Sequence, residues 1–263
     1  MRKLFKPLLI LSLVTLAISC KKDAKVSADN QVSQDVLNKI SALGFSSKNV
    51  IQDEDGYIVE GDILLTPEHL NSSPFNATLL RIAGVEQYRT LNLVTALPRV
   101  ITVSVSSRLP ASYITATDDA IARYNAENLL ITFQRVSSGG NIDLVKGNGN
   151  YLASSGFPSS TGDPYPQVKI NTSQLSGQPQ ATVASVIAHE IGHCIGFRHT
   201  DYMNRAYSCG GSAVNEGAST VGAVLIPGTP SGPDPNSWML SCIGSGQNRP
   251  FNANDKVALS YLY

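Results

Sequence analysis

Apolar and polar positions alternate with different periods along the chain. Leu8 to Ile18 is an almost unbroken apolar run behind Arg2, Lys3 and Lys6. A comfortable membrane span needs about 20 such residues, so this run fits a signal-peptide core instead. Further on, Val32, Val36, Leu37, Ile40 and Leu43 fall on one helical face, and Gly44 stops it. Val50-Ile51 and Tyr57 to Val59 flank Asp55-Gly56 as a hairpin. Ile63 to Leu65 adds strand material, and Thr66-Pro67 opens a short helix.

A second block begins near Leu97. Ile101, Val103 and Val105 alternate with Thr102 and Ser104, the pattern of a half-buried strand. Ile114, Ile121 and Tyr124 follow at helical spacing, with Thr117 and Asp118 weakening the stripe. Leu129, Ile131 and Phe133 alternate again, and Ile142 to Val145 is another short strand. Strand, helix, strand predicts a right-handed crossover and a partly parallel sheet. Gly147 to Gly156 reads as a loop, and Val168 with Ile170 as a strand at the sheet edge. A helix should begin behind Pro179 and run to about Ile195. Residues 200–236 are rich in Gly, Ser, Pro and Asn, and a last helix spans roughly 254–261. The fold class is α+β, with a small N-terminal unit at 31–95 ahead of a catalytic block at 96–263.

Charge removes one class of function. The chain has 263 residues with 20 basic and 20 acidic side chains, so its formal net charge is +0. Nucleic-acid binding requires a basic surface that displaces counterions, and none is available. Cysteine placement adds an address. Ala17-Ile18-Ser19-Cys20 resembles a bacterial lipobox: residues 1–20 would be the signal region ending at Cys20, which would be lipidated and become the first residue of the mature chain. Residues 21–30 then form a polar tether. The expectation is an exported, membrane-anchored lipoprotein, on the periplasmic or the surface face, where disulfides persist.

The densest chemistry is His189-Glu190-Ile191-Gly192-His193, followed by Gly196 and His199. Residues four apart on a helix lie about 40° apart around the axis, so His189 and His193 can aim at one ion. Neutral imidazole is a preferred Zn2+ ligand. Gly196 tolerates the sharp turn that returns His199 as a third ligand, and three ligands leave a position open. Val183, Ile187, Ile191 and Cys194 form a separate core face. The chain has four histidines, and this motif uses three. The fourth, His69, is expected at the surface.

The motif resembles that of the metzincin clan of zinc endopeptidases. The string from His189 through Asp201 is similar to the dual-action HEIGH metallopeptidase family, and the likeness extends over roughly 96–263. The resemblance implies a metzincin-like domain with a twisted mixed sheet, an active-site helix and a loop-rich C-terminal part. It implies Zn2+ on His189, His193 and His199, and Glu190 as general base. Met239, in Ser237-Trp238-Met239, would form the Met-turn; its rival Met203 follows His199 too closely. Several metzincins carry a Tyr two residues beyond the Met, where this chain has Ser241. Substrates would be proteins or peptides, binding as an added strand near Gln167 to Ile170. A monomer is expected, and Ca2+ is a second candidate ion with no residues assigned to it.

Cys194, Cys209 and Cys242 remain after Cys20. Cys209 with Cys242 is the favoured disulfide because Cys194 faces the core, but pairings through Cys194 stay open. Asp53, Glu54, Asp55, Glu60 and Asp62 cluster in the N-terminal unit. They read either as a solvated hairpin or as part of a propeptide with one carboxylate on the zinc. Two rival functions remain. One is a non-catalytic zinc-bearing surface lipoprotein that binds a protein or glycan, which has no need of Glu190. The other is a peptidase with a distant third ligand such as Glu216, a role that His199 already fills.

Overall fold

Ser33 opens the first helix by accepting the backbone N–H of Val36, and α1 runs Gln34–Ala42. Gly44, at φ 81°, ends it. The computed structural model describes residues 32–71, 87–211, 224–230 and 234–263. The expectations placed on 1–20, 21–30, Cys20 and Glu216 lie outside these residues.

Strands β1 (Ile51–Asp53), β2 (Gly56–Val59) and β3 (Ile63–Leu65) form an antiparallel meander, and α2 spans Pro67–Asn71. His69 does not sit free at the surface. It is half-buried, and its Nδ1 accepts the Thr66 backbone N–H, which lets it help start α2. Beyond β4 (Tyr88–Arg89), β5 (Arg99–Val105) leads through α3 (Ser112–Asn125) into β6 (Ile131–Val136) and β7 (Ile142–Lys146). These three strands pair in parallel, as the strand-helix-strand pattern predicts.

Two expectations change at this point. Thr117 does not interrupt the α3 stripe: it is fully buried because its hydroxyl donates to Tyr113 O at 2.7 Å. Ile114 is the residue left exposed. The predicted loop contains β8 (Ala153–Ser155), which pairs antiparallel with β9 (Gln167–Ile170). β9 also pairs in parallel with β7, so it lies inside the sheet and not at its edge.

The sheet has eight strands in the order β1-β2-β3-β8-β9-β7-β5-β6. Strands from both sides of residue 95 therefore share it, joined where Ile63 pairs with Ser155. Helix α4 (Gln180–Cys194) packs against α3, β8 and β9, and 13 of its residues are buried. β10 (Phe197–Arg198), α5 (Ala206–Cys209) and β11 (Val224–Leu225) follow. β4 lies between β10 and β11 in a second sheet. α6 (Ala253–Leu262) closes the chain, started by a capping box between Asn252 and Asp255.

Among the described residues, apolar burial falls into four clusters, two of them small: Ile58 with Leu64 and Tyr151, and Tyr88 with Tyr202. The main cluster joins β5, β6, β7 and β9 to α3, α4, Trp238, Met239, Phe251, Leu259 and Tyr263. A second cluster consists of Ile40, Phe45, Val59, Ile63, Leu65 and Leu70 with Phe157.

Candidate metal centre

His189 and His193 stand one turn apart on α4, their ring centroids 4.7 Å apart. Gly196 then reverses the chain at φ 109°, a conformation that glycine tolerates. Its N–H bonds back to His193 O at 2.9 Å. Two residues of β10 return His199 to within 4.8 Å of the His193 ring and 5.2 Å of the His189 ring. The spacing in the sequence therefore places all three imidazoles together.

Two backbone carbonyls orient the rings. His189 Nδ1 lies 2.9 Å from Trp238 O, and His193 Nδ1 lies 2.8 Å from Phe197 O. A carbonyl accepts only, so both rings carry the proton on Nδ1 and present Nε2 as a free donor pair. His189 Nε2 is buried with no hydrogen-bond partner. His193 Nε2 and His199 Nε2 approach to 3.2 Å.

The fourth member comes from the N-terminal meander. Asp62 lies 3.1 Å from His199 Nε2, 3.5 Å from His189 Nε2 and 4.0 Å from His193 Nε2. One ligand atom from each of Asp62, His189, His193 and His199 falls within 4.8 Å of the others. Three imidazole nitrogens and a carboxylate oxygen, with backbone carbonyls holding the His189 and His193 rings, fit a Zn2+ ion.

Among the side chains alone, burial opposes charge on Asp62, but His199 and the imidazole hydrogen bonds outweigh it and hold the carboxyl well below its usual range. Burial would also lower the His199 imidazole, yet Asp62 and Glu60 raise it to about 10. His193 moves well down, through burial and the repulsion of the other two histidines. Glu190 is 2% exposed. Burial, then the Asp62 charge, push its carboxyl well above the ordinary value. Ser155 on β8 donates its hydroxyl to Glu190 Oε2 at 2.7 Å.

Met239 lies under the histidine turn of α4. A Cβ on Gly192 would meet the Met239 sulfur at 2.7 Å, so only glycine lets the two segments touch. Met203 is half exposed and stands apart from the core. Thr200 N donates to Met239 O at 3.0 Å, and Trp238 N to Asp255 Oδ2 at 3.1 Å. Asp201 holds the segment beyond the methionine: its carboxylate accepts the Ser241 N–H at 2.9 Å and the Ser241 hydroxyl at 2.8 Å. Cys209 and Cys242 are joined in a disulfide, and Cys194 is a buried free thiol.

The substrate edge expected at 167–170 is corrected by the interior position of β9. β8 is the strand beside the histidines, and the chain at Asp62-Ile63 lies along it, with Ser155 N donating to Asp62 O at 3.1 Å. Asp62, Ser155 and the buried Glu60–Arg198 pair, at 3.0 Å, had no individual signal in the sequence. Asp62 and Glu60 belonged only to an acidic cluster.

The sequence pattern of the dual-action HEIGH metallopeptidases matches residues 58–263. No match to a curated protein was found. Among solved structures, two of myroilysin are similar, at 17% identity over 65% of this chain and 82% of that one (TM-score 0.42), and at 19% over 76% and 98% (TM-score 0.41). The hatching-enzyme zinc-protease HCE-1 of the medaka fish Oryzias latipes is 23% identical over 38% of this chain and 44% of its own (TM-score 0.28).

Proposed function

We propose that this chain, which belongs to the dual-action HEIGH metallopeptidase family, is an exported zinc-dependent endopeptidase kept latent by its own N-terminal segment. The observation that carries the reading is the convergence of three histidine Nε2 atoms beside Glu190. A Zn2+ ion held by His189, His193 and His199 would supply Lewis acidity toward water and toward a peptide carbonyl oxygen. Glu190 would take the proton of the attacking water and deliver it to the leaving amine nitrogen. Ser155 positions Glu190 through Oε2. The Trp238 and Phe197 carbonyls keep the imidazoles in the ligating tautomer.

Asp62 supports the latent reading. Its carboxylate completes the four-donor cluster, and Ile63 pairs with β8 on the edge that an extended peptide would use. The N-terminal unit up to residue 95 would then be a propeptide. Signal-like residues 1–20 and Cys20 support export and a lipid anchor. The Glu190–Ser155 pair favours an enzyme over a binding lipoprotein, since a binding site has no use for an oriented carboxylate beside the metal.

Glu190→Ala is expected to retain one zinc per chain by elemental mass spectrometry and to lose about 10²–10⁴-fold in turnover. Peptide cleavage at the wild-type rate by that variant would overturn the assignment of Glu190.

A further inference from the structure

Beside His189 and Glu190 lies a cavity of about 280 Å³, walled on one side by Leu152, Val186, Leu240 and Ile243. Two arginines complete it, Arg205 and Arg249, both half-buried. Among the described residues neither has a carboxylate within ion-pair distance. Arg249 Nη1 donates to Cys242 O at 3.0 Å, which fixes the guanidinium against the segment beyond Met239. Arg205 is less satisfied: among the described residues its buried Nε has no hydrogen-bond partner, and Nη2 reaches only Cys209 Sγ at 4.0 Å. A Cβ on Gly61 would meet Arg205 Nη2 at 2.7 Å, so this guanidinium faces the backbone that lies across the site.

We infer that this cavity is the specificity pocket and takes an acidic side chain, Asp or Glu, of a peptide beside its scissile bond. The inference rests on the peptidase reading above. Apolar walls weaken solvent screening, so two guanidinium groups with no ion-pair contact among the described residues attract a carboxylate there more strongly than at an open surface. The planar fork of Arg can bind both carboxylate oxygens, whereas a neutral side chain would leave Arg205 without a carboxylate partner and Arg249 with only the more distant charges of Asp201 and Asp255. His189 and Glu190 line the same cavity, which puts the bound side chain next to the reacting carbonyl.

The test is a mixed peptide library digested by the protein, with cut sites identified by mass spectrometry. Asp and Glu should be enriched at least about tenfold at one fixed position flanking the cut. Arg205→Gln should lower kcat/KM for an acidic peptide by about 10–100-fold and leave its amide counterpart within about twofold. Arg205 is the variant of choice because Arg249 also supports Cys242. Cleavage without acidic enrichment, or equal losses for both peptides, overturns the pocket assignment and leaves the peptidase reading intact. If no peptide is cut either by the full-length protein or after release of its leading segment, the peptidase reading fails, and binding of the same acidic and amide peptides by fluorescence anisotropy decides the pocket. A preference for the acidic peptide that Arg205→Gln abolishes would uphold it, and equal binding would overturn it.

Discussion

Two segments far apart in the chain close on the same three histidines, and different forces hold them. The C-terminal one, from Ser237 to Tyr263, is part of the main core. Trp238, Met239, Phe251, Leu259 and Tyr263 share one apolar cluster with Ile187 and Ile191 of α4. The N-terminal one, at Glu60 to Leu65, lies in two smaller clusters outside that core, one shared with Phe157 and one in which Leu64 meets Tyr151 of the catalytic block. Much of its attachment is ionic. Asp62 faces the imidazoles, Glu60 pairs with Arg198, and Lys169 takes Asp53 at 2.5 Å and Asp55 at 2.6 Å. A segment inside the shared core cannot leave without unfolding the enzyme. A segment outside that core, held by charged ties and a few apolar contacts, can leave without unfolding it. The first kind suits a floor and the second a cover.

The comparison breaks most readily at Trp238. The side chain is 2% exposed and packs edge-on to Phe197 and Phe251, with centroids 4.9 and 5.0 Å away. Trp238→Ala should cost about 3–5 kcal/mol of stability, read as a shifted urea midpoint. A loss under about 1 kcal/mol would mean that the floor is no more part of the core than the cover is. Next in size is the Cys209–Cys242 link, which closes a sequence separation of 33 residues. Replacing both cysteines with serine should cost about 2–4 kcal/mol. That loss should appear in the unfolding of the catalytic core, and the release of residues 32–71 should not change.

Much of the floor was legible in the sequence and little of the cover was. The histidine spacing, Gly196 and Met239 are local patterns, and a helical period or a turn brings each of them to its place. Cys209–Cys242 could be favoured because Cys194 faces the core on α4, but spacing left pairings through Cys194 open until the structure joined Cys209 to Cys242. β8 was missed because Ala153-Ser154-Ser155 carries no apolar alternation. All three residues are buried, and pairing with β9 makes them a strand. That omission also made β9 look like an edge. Asp62 was one of five clustered acids, and its histidine partners lie well over 100 residues downstream. No local property distinguishes it from Asp53, which finds Lys169 instead. Contacts made by charge between distant segments leave no period to read.

The smallest energetic change should be the most informative about the cover. Asp62→Asn keeps the shape of the side chain and removes its charge, so Glu60–Arg198, Lys169 and the second apolar cluster stay in place. What is lost is the attraction between one carboxylate and the buried imidazoles. If that attraction holds the latent form, the full-length variant should cleave peptides at least about tenfold faster than the full-length wild type, equivalent to about 1.4 kcal/mol. Sequencing of new N-termini should show earlier loss of the leading segment, while the urea midpoint of the core moves far less than in Trp238→Ala. Unchanged or reduced cleavage, with residues 32–71 retained, would make Asp62 a working part of the centre. The cover would then belong with the floor as a permanent wall of the site.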